Sequence, residues 1–100
     1  MINERPTNPD VIKAINACIL DLHRAAKALK KAGKSWKAGP LLDNATALEL
    51  VRDWGAYGGK VPYPVNVLSM PYFEKHGLTG LIHDAWDRSD YCRPLRNHSR

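Results

Sequence analysis

A chain of 100 residues, 44% of them hydrophobic and 25% charged, has the composition of one globular domain and is too apolar to be disordered throughout. Its net charge of +5 is uneven: residues 1–42 carry +5, residues 43–92 carry −3 and residues 93–100 carry +3. Such asymmetry reports on the charge of a partner or keeps a small protein in solution.

Three further features bear on where the chain works. No apolar stretch approaches the roughly 20 residues that span a bilayer. The start Met1-Ile2-Asn3-Glu4-Arg5 lacks the basic-then-apolar order of a signal peptide. Two cysteines, Cys18 and Cys92, do not make a disulfide framework. The expectation is a single domain over residues 1–100, with loose ends at 1–7 and 93–100, in a reducing, cytoplasmic setting without membrane contact.

Asn8-Pro9-Asp10 is a helix start: Asn8 suits the cap, Pro9 the first helical position, and Asp10 the positive end of the dipole. Val11, Ile15, Cys18, Leu22, Ala25 and Leu29 then recur at spacings of four and three, widened by Ile12, Ile19 and Ala26. This predicts an amphipathic helix to about Ala32, ended by Gly33. Leu20 falls off the stripe, as an exposed contact or against a second packing neighbour.

Gly39-Pro40 predicts a break, after which Asp43 or Asn44 opens a second helix. Thr46-Ala47-Leu48-Glu49 has capping-box spacing as well. Asn44-Ala45-Thr46 matches a glycosylation sequon and reads better as helix-start chemistry. Ala47, Leu50, Val51 and Trp54 share one face, with Trp54 expected in the core; Gly55 weakens the helix and Gly58-Gly59 ends it.

Val61-Pro62-Tyr63-Pro64-Val65 favours an extended path, and the stretch to Met70 fits a short strand or a helical turn. Pro71 starts a short helix over Tyr72–His76 that Gly77 stops. A last helix runs from about Thr79 to Asp90, with Leu78, Leu81, Ile82, Ala85 and Trp86 apolar. The fold class expected is mainly α, a small irregular bundle of three to four helices with Pro/Gly-rich connections; the alternative is α+β with a short strand pair around 61–69.

Catalytic chemistry is hard to find. The glycines at 55, 58 and 59 lack the spacing and the Lys-Ser/Thr ending of a phosphate cradle. Cys18, His23, His76, His83, Cys92 and His98 form no close ligand pair, and His83-Asp84 alone is a weak metal signal, so neither metal nor cofactor is expected. Asp84, Asp87 and Asp90 at helical spacing read as a solvated face. Cys92 has basic neighbours that lower a thiol pKa, but it lies close to the chain end.

The most informative run is Arg24, Lys27, Lys30, Lys31, Lys34 and Lys37, six cations with no acid between Leu22 and Leu42, with Trp36 in the same stretch. Arg24, Lys27 and Lys31 fall on the side of the first helix away from its apolar stripe. One reading is a solvated face whose last lysines complement the dipole, with Trp36 on the core edge. The other is contact with an anionic surface, with Trp36 as an anchor or a stacking platform. Plain solvated faces normally mix signs, which favours contact. Lysine dominance suits charge attraction more than bidentate base reading. Tyr57 and Tyr63, in a Gly/Pro-rich stretch, are further binding candidates.

A helix-turn-helix over Tyr72–Trp86 has a plausible turn at Gly77. Phe73 is bulky for that motif, His76 and His83 replace apolar residues, and the second helix would set Asp84, Asp87 and Asp90 against Arg88 alone, repelling phosphates. The expectation is therefore a non-enzymatic binding protein for an anionic protein or nucleoprotein surface. A direct nucleic-acid binder is the alternative, and a small enzyme with an unrecognised site the third reading. In size and in its lack of motifs the chain resembles the short accessory proteins of bacteriophages and mobile elements that inhibit or redirect host complexes; no motif carries that resemblance.

Overall fold

The computed structural model describes residues 6–55 and 67–87. The chain is mainly α, and its described residues form a small bundle of four helices in the order α1 (Pro9–Lys31), α2 (Ser35–Trp54), α3 (Met70–Lys75) and α4 (Thr79–Asp87). No strand occurs among the described residues. Residues 67–69, the end of the alternative strand pair, form a turn, and 61–66 lie outside the described residues.

α1 begins as its sequence dictates. The Asn8 side chain accepts from the Asp10 N–H at 2.8 Å, and Pro9 occupies the first turn. Such a cap contributes about 1 kcal/mol. The helix closes with a paired motif in which the Gly33 N–H donates to Lys30 and the Lys34 N–H to Leu29, at 3.1 and 2.8 Å. This closure needs a left-handed residue, and Gly33 supplies φ of 77°. The short turn then sends α2 back along α1, as short connections between packed helices do.

α2 starts eight residues or more before the expected Asp43 or Asn44 opening and runs through Gly39-Pro40 without a break. Packing explains this. Ala38, Leu41, Ala45 and Leu48 are buried at helical spacing, so the early turns hold half of the seam against α1. Pro40 offers no N–H to the Trp36 carbonyl, a local loss near the water-exposed end of the helix. Asn44 is buried inside the helix and does not start it, and Thr46 donates to the Leu42 carbonyl at 3.1 Å. The helix ends at Gly55, not at Gly58-Gly59.

Trp54 is 64% exposed and is no core residue. Eighteen residues separate it from Trp36, five full turns, so the two indoles project from the same side of α2. That side faces water at both ends.

The core is continuous. Ile15, Cys18, Leu22 and Ala26 of α1 meet the α2 seam, and Phe73, Leu78, Ile82 and Ala85 close over it from the shorter helices. α3 packs on α1, and α4 on α2. Gly77, with φ of 70°, ends α3 in the same paired closure as Gly33: the Leu78 N–H donates to Phe73 at 2.8 Å and the Gly77 N–H to Glu74 at 3.1 Å. Phe73 and Leu78, the two positions that such a closure brings together, are both buried in the core. α3 spans only six residues, short for the first helix of a DNA-reading pair, and Asp84 is exposed on α4.

Candidate functional site

The broad apolar stripe turns one side of α1 inward, and most of the charged residues opposite it are cationic. Arg24, Lys27, Lys30 and Lys31 are exposed on α1, and Lys34 is exposed on the turn that follows. Lys13 joins them. At 100° per residue, Lys13, Leu20, Lys27 and Lys31 fall within about 40° of one another around the axis, and Lys13 to Lys31 spans about 27 Å. Lys13 was legible from this spacing and is absent from the dense run only because it lies eleven residues before Arg24.

Leu20, 49% exposed, sits in the middle of this face. The two acids of α1 lie elsewhere: Asp10 in the first turn, Asp21 turned toward α3. No ion pair joins Lys13, Arg24, Lys27, Lys30, Lys31 or Lys34 to an acid among the described residues. Arg52, by contrast, is committed: it pairs with Asp53 at 2.9 Å and donates to the Asn16 side chain at 2.9 Å. The Asp53 carboxylate is the first reason its guanidinium holds its proton more tightly than usual.

Trp36, in the first turn of α2, is 72% exposed. It covers no core edge. Lys37 is half-buried, with its ammonium 5.0 Å from the Trp36 ring centroid, a cation–π contact. Arg24, Lys27 and Lys31 are thus exposed on the outer side of α1, Lys30 beside them, Lys34 on the turn and Trp36 on α2, with Lys37 against the Trp36 ring. Tyr57 and Tyr63 lie outside the described residues.

A second polar cluster ties the small helices to α1. Asp21 accepts from Lys75 Nζ at 3.2 Å and lies 2.8 Å from His76 Nε2. The His76 bond, and after it Lys75, holds the Asp21 carboxyl below its ordinary value of 3.8. Cys18, one turn earlier, is buried; burial, with the nearby Asp21 charge, pushes its thiol up to about 12. A buried thiol in that state is a poor nucleophile at neutral pH. Among the described residues no three His, Cys, Asp or Glu side chains form a group that could hold a metal ion, and no helix is long and apolar enough to cross a membrane.

Comparison of the chain with protein-family models, with curated proteins and with solved structures finds no match.

Proposed function

We propose that this is a small, non-catalytic binding protein that docks an anionic partner, an acidic protein or a nucleoprotein surface, on the outer face of α1 and the adjoining turn. One observation carries the reading: Arg24, Lys27 and Lys31 are exposed on the outer side of α1, with Lys30 beside them and Lys34 on the adjoining turn, with no acid in that stretch and no ion pair to a described residue. A field of one sign along that stretch speeds encounter with an opposite surface and repels cationic ones.

The non-catalytic part draws on two nucleophiles: Cys18 is sealed in the core as a thiol, and Ser69 is fully buried. A role in blocking or redirecting a larger complex, in the manner of short phage or mobile-element accessory proteins, suits a charged face on α1.

The test is a double charge reversal, Lys27→Glu with Lys31→Glu, followed by affinity purification from the native host at graded salt. The expected result is an anionic partner that elutes from the parent protein as salt rises and is missing from the variant, while far-UV circular dichroism stays unchanged. Equal recovery with folded variant and parent would show the lysines to be only a solvated face.

A further inference from the structure

α1 has two seams, and the fold uses one of them. Ile15, Cys18, Leu22 and Ala26 are buried in the core. On the opposite side Lys13, Ala17, Leu20, Arg24, Lys27 and Lys31 recur at steps of four, three, four, three and four. That alternation keeps the six within about 80° around the axis and about 27 Å along it. It is the spacing with which one helix receives another. Resting on the anionic-partner reading above, we infer that this outer seam seats one acidic amphipathic helix of a partner protein, with apolar side chains on Ala17 and Leu20 and carboxylates on the four cations.

The apolar centre selects a protein. Leu20 is 49% exposed and Ala17, one turn before it, is half-buried, with cations at both ends of the pair. Covering a leucine stabilises a complex by removing its apolar surface from water. A helix supplies apolar groups at the matching spacing, and the lysine stems extend the apolar floor while their ammonium groups reach past it to acids. A row of phosphates has no apolar group to set against Leu20, and base edges are read best by bidentate Arg, Asn or Gln. Arg24 is the one arginine of the seam, and the Asn16 side-chain oxygen beside it is taken by Arg52.

Charge excludes a second copy of the chain. Packed antiparallel about the middle of the seam, two copies would set Lys13 against Lys31 and Leu20 against Arg24; packed parallel and in register, each cation would meet itself. Like charges in contact cost affinity, whereas an acidic helix meets the same positions with attraction. That helix packs best antiparallel. Arg24, Lys27 and Lys31 lie in the second half of α1 and there draw acids to the partner's N-terminus, where acids also favour its own dipole. The seat is ready-made, because the inner side of α1 is already fixed in the core.

Fluorescence anisotropy on the full chain tests this with a labelled, end-capped peptide of about 20 residues, long enough to span the seam. Its seam positions, from the N-terminus, are three Glu, two Leu and one Glu, on a background of Ala and Gln. A shuffled peptide of the same composition, polyglutamate, oligothymidylate and a DNA duplex are the other probes. The ordered peptide should bind about tenfold more tightly than the shuffled one. It should also gain helix on binding, read by circular dichroism, because a free helix of that length is marginal in water. Leu20→Gln, which keeps helix propensity, should weaken the ordered peptide about tenfold and polyglutamate little. An ordered peptide bound no better than the shuffled one, or indifferent to Leu20→Gln, would overturn the inference and leave the anionic-partner reading standing. Tighter binding of either nucleic acid than of the ordered peptide would do the same. No binding to any polyanion at low salt would overturn both.

Discussion

Asp21 of α1 and His76 at the end of α3 meet at 2.8 Å although 55 residues separate them in the chain. The same carboxylate oxygen accepts from Lys75 at 3.2 Å. This cluster is a polar tie between the long hairpin and the short helices that close its core.

The tie makes stability depend on acid. The Asp21 carboxyl titrates below its ordinary 3.8 when folded, so the folded state favours the ionised form. Its contribution is fully present above that ordinary value and is lost as pH falls through the lower, folded one. Asp21→Asn should lower the melting temperature at neutral pH, and the gap to the parent should close in strong acid. Thermal melts across pH check this; a gap that is the same at every pH would count against the ion cluster.

The two left-handed glycines allow a paired test of backbone strain. A Cβ added at Gly33 or Gly77 meets nothing within 4 Å, so substitution there carries conformational cost alone. Gly33→Ala and Gly77→Ala should each destabilise by about 1 kcal/mol, and by similar amounts. Urea denaturation measures both; a neutral Gly77→Ala would mean that the closure ending α3 does not need its left-handed residue.

Pro40 runs against the helix that contains it. Pro40→Ala restores an N–H to the Trp36 carbonyl and removes the ring's crowding of that turn. The substitution should stabilise the protein by about 1 kcal/mol or more, a little offset by the greater freedom of the unfolded chain. A higher urea midpoint at unchanged slope is the expected readout, and destabilisation would show that the proline ring packs usefully.

Cys18 should behave as a core methyl-sized group with a hidden thiol. In a Cys92→Ser background, Cys18 should resist thiol reagents in the native state and react on unfolding, because it is fully buried and its thiol is pushed up to about 12. Fast labelling under native conditions would show that α1 opens at that turn.

A core substitution sets the scale for these effects. Phe73 is the largest fully buried side chain and joins α3 to the core. Phe73→Ala should cost about 3 to 5 kcal/mol, a large share of the total for a chain of this size. Denaturant melts check it; a loss near 1 kcal/mol would mean that the short helices contribute little to cooperative folding.

Much of the candidate face was legible because it is local. The Asn8 cap, the stripe from Val11 to Leu29 and the Gly33 stop define α1, and a helix with one apolar side must present its other side to water. Arg24, Lys27 and Lys31 followed directly. Tyr57 and Tyr63 lie outside the described residues, and Lys13 was passed over because it stands apart from the dense run.

Other features needed distant partners. Gly39-Pro40 signals a break by every short-range rule, yet α2 passes through it because Ala38 and Leu41 gain burial against α1. Trp54 follows the apolar spacing of its helix but projects to water, since which arc of α2 is covered depends on where α1 and α4 lie. Asp21 has no local cue to its role at all.

Sequence alone determined the helical class, the boundaries of α1, the stops at Gly33 and Gly77, and the cationic side, because caps, periodicity and left-handed glycines act within a turn or two of chain. Tertiary structure decided the start of α2, the exposure of Trp36 and Trp54, and the meeting of Asp21 with His76. Those outcomes are set by burial and charge contacts between residues far apart in the chain, whose energies exceed local preferences of about 1 kcal/mol.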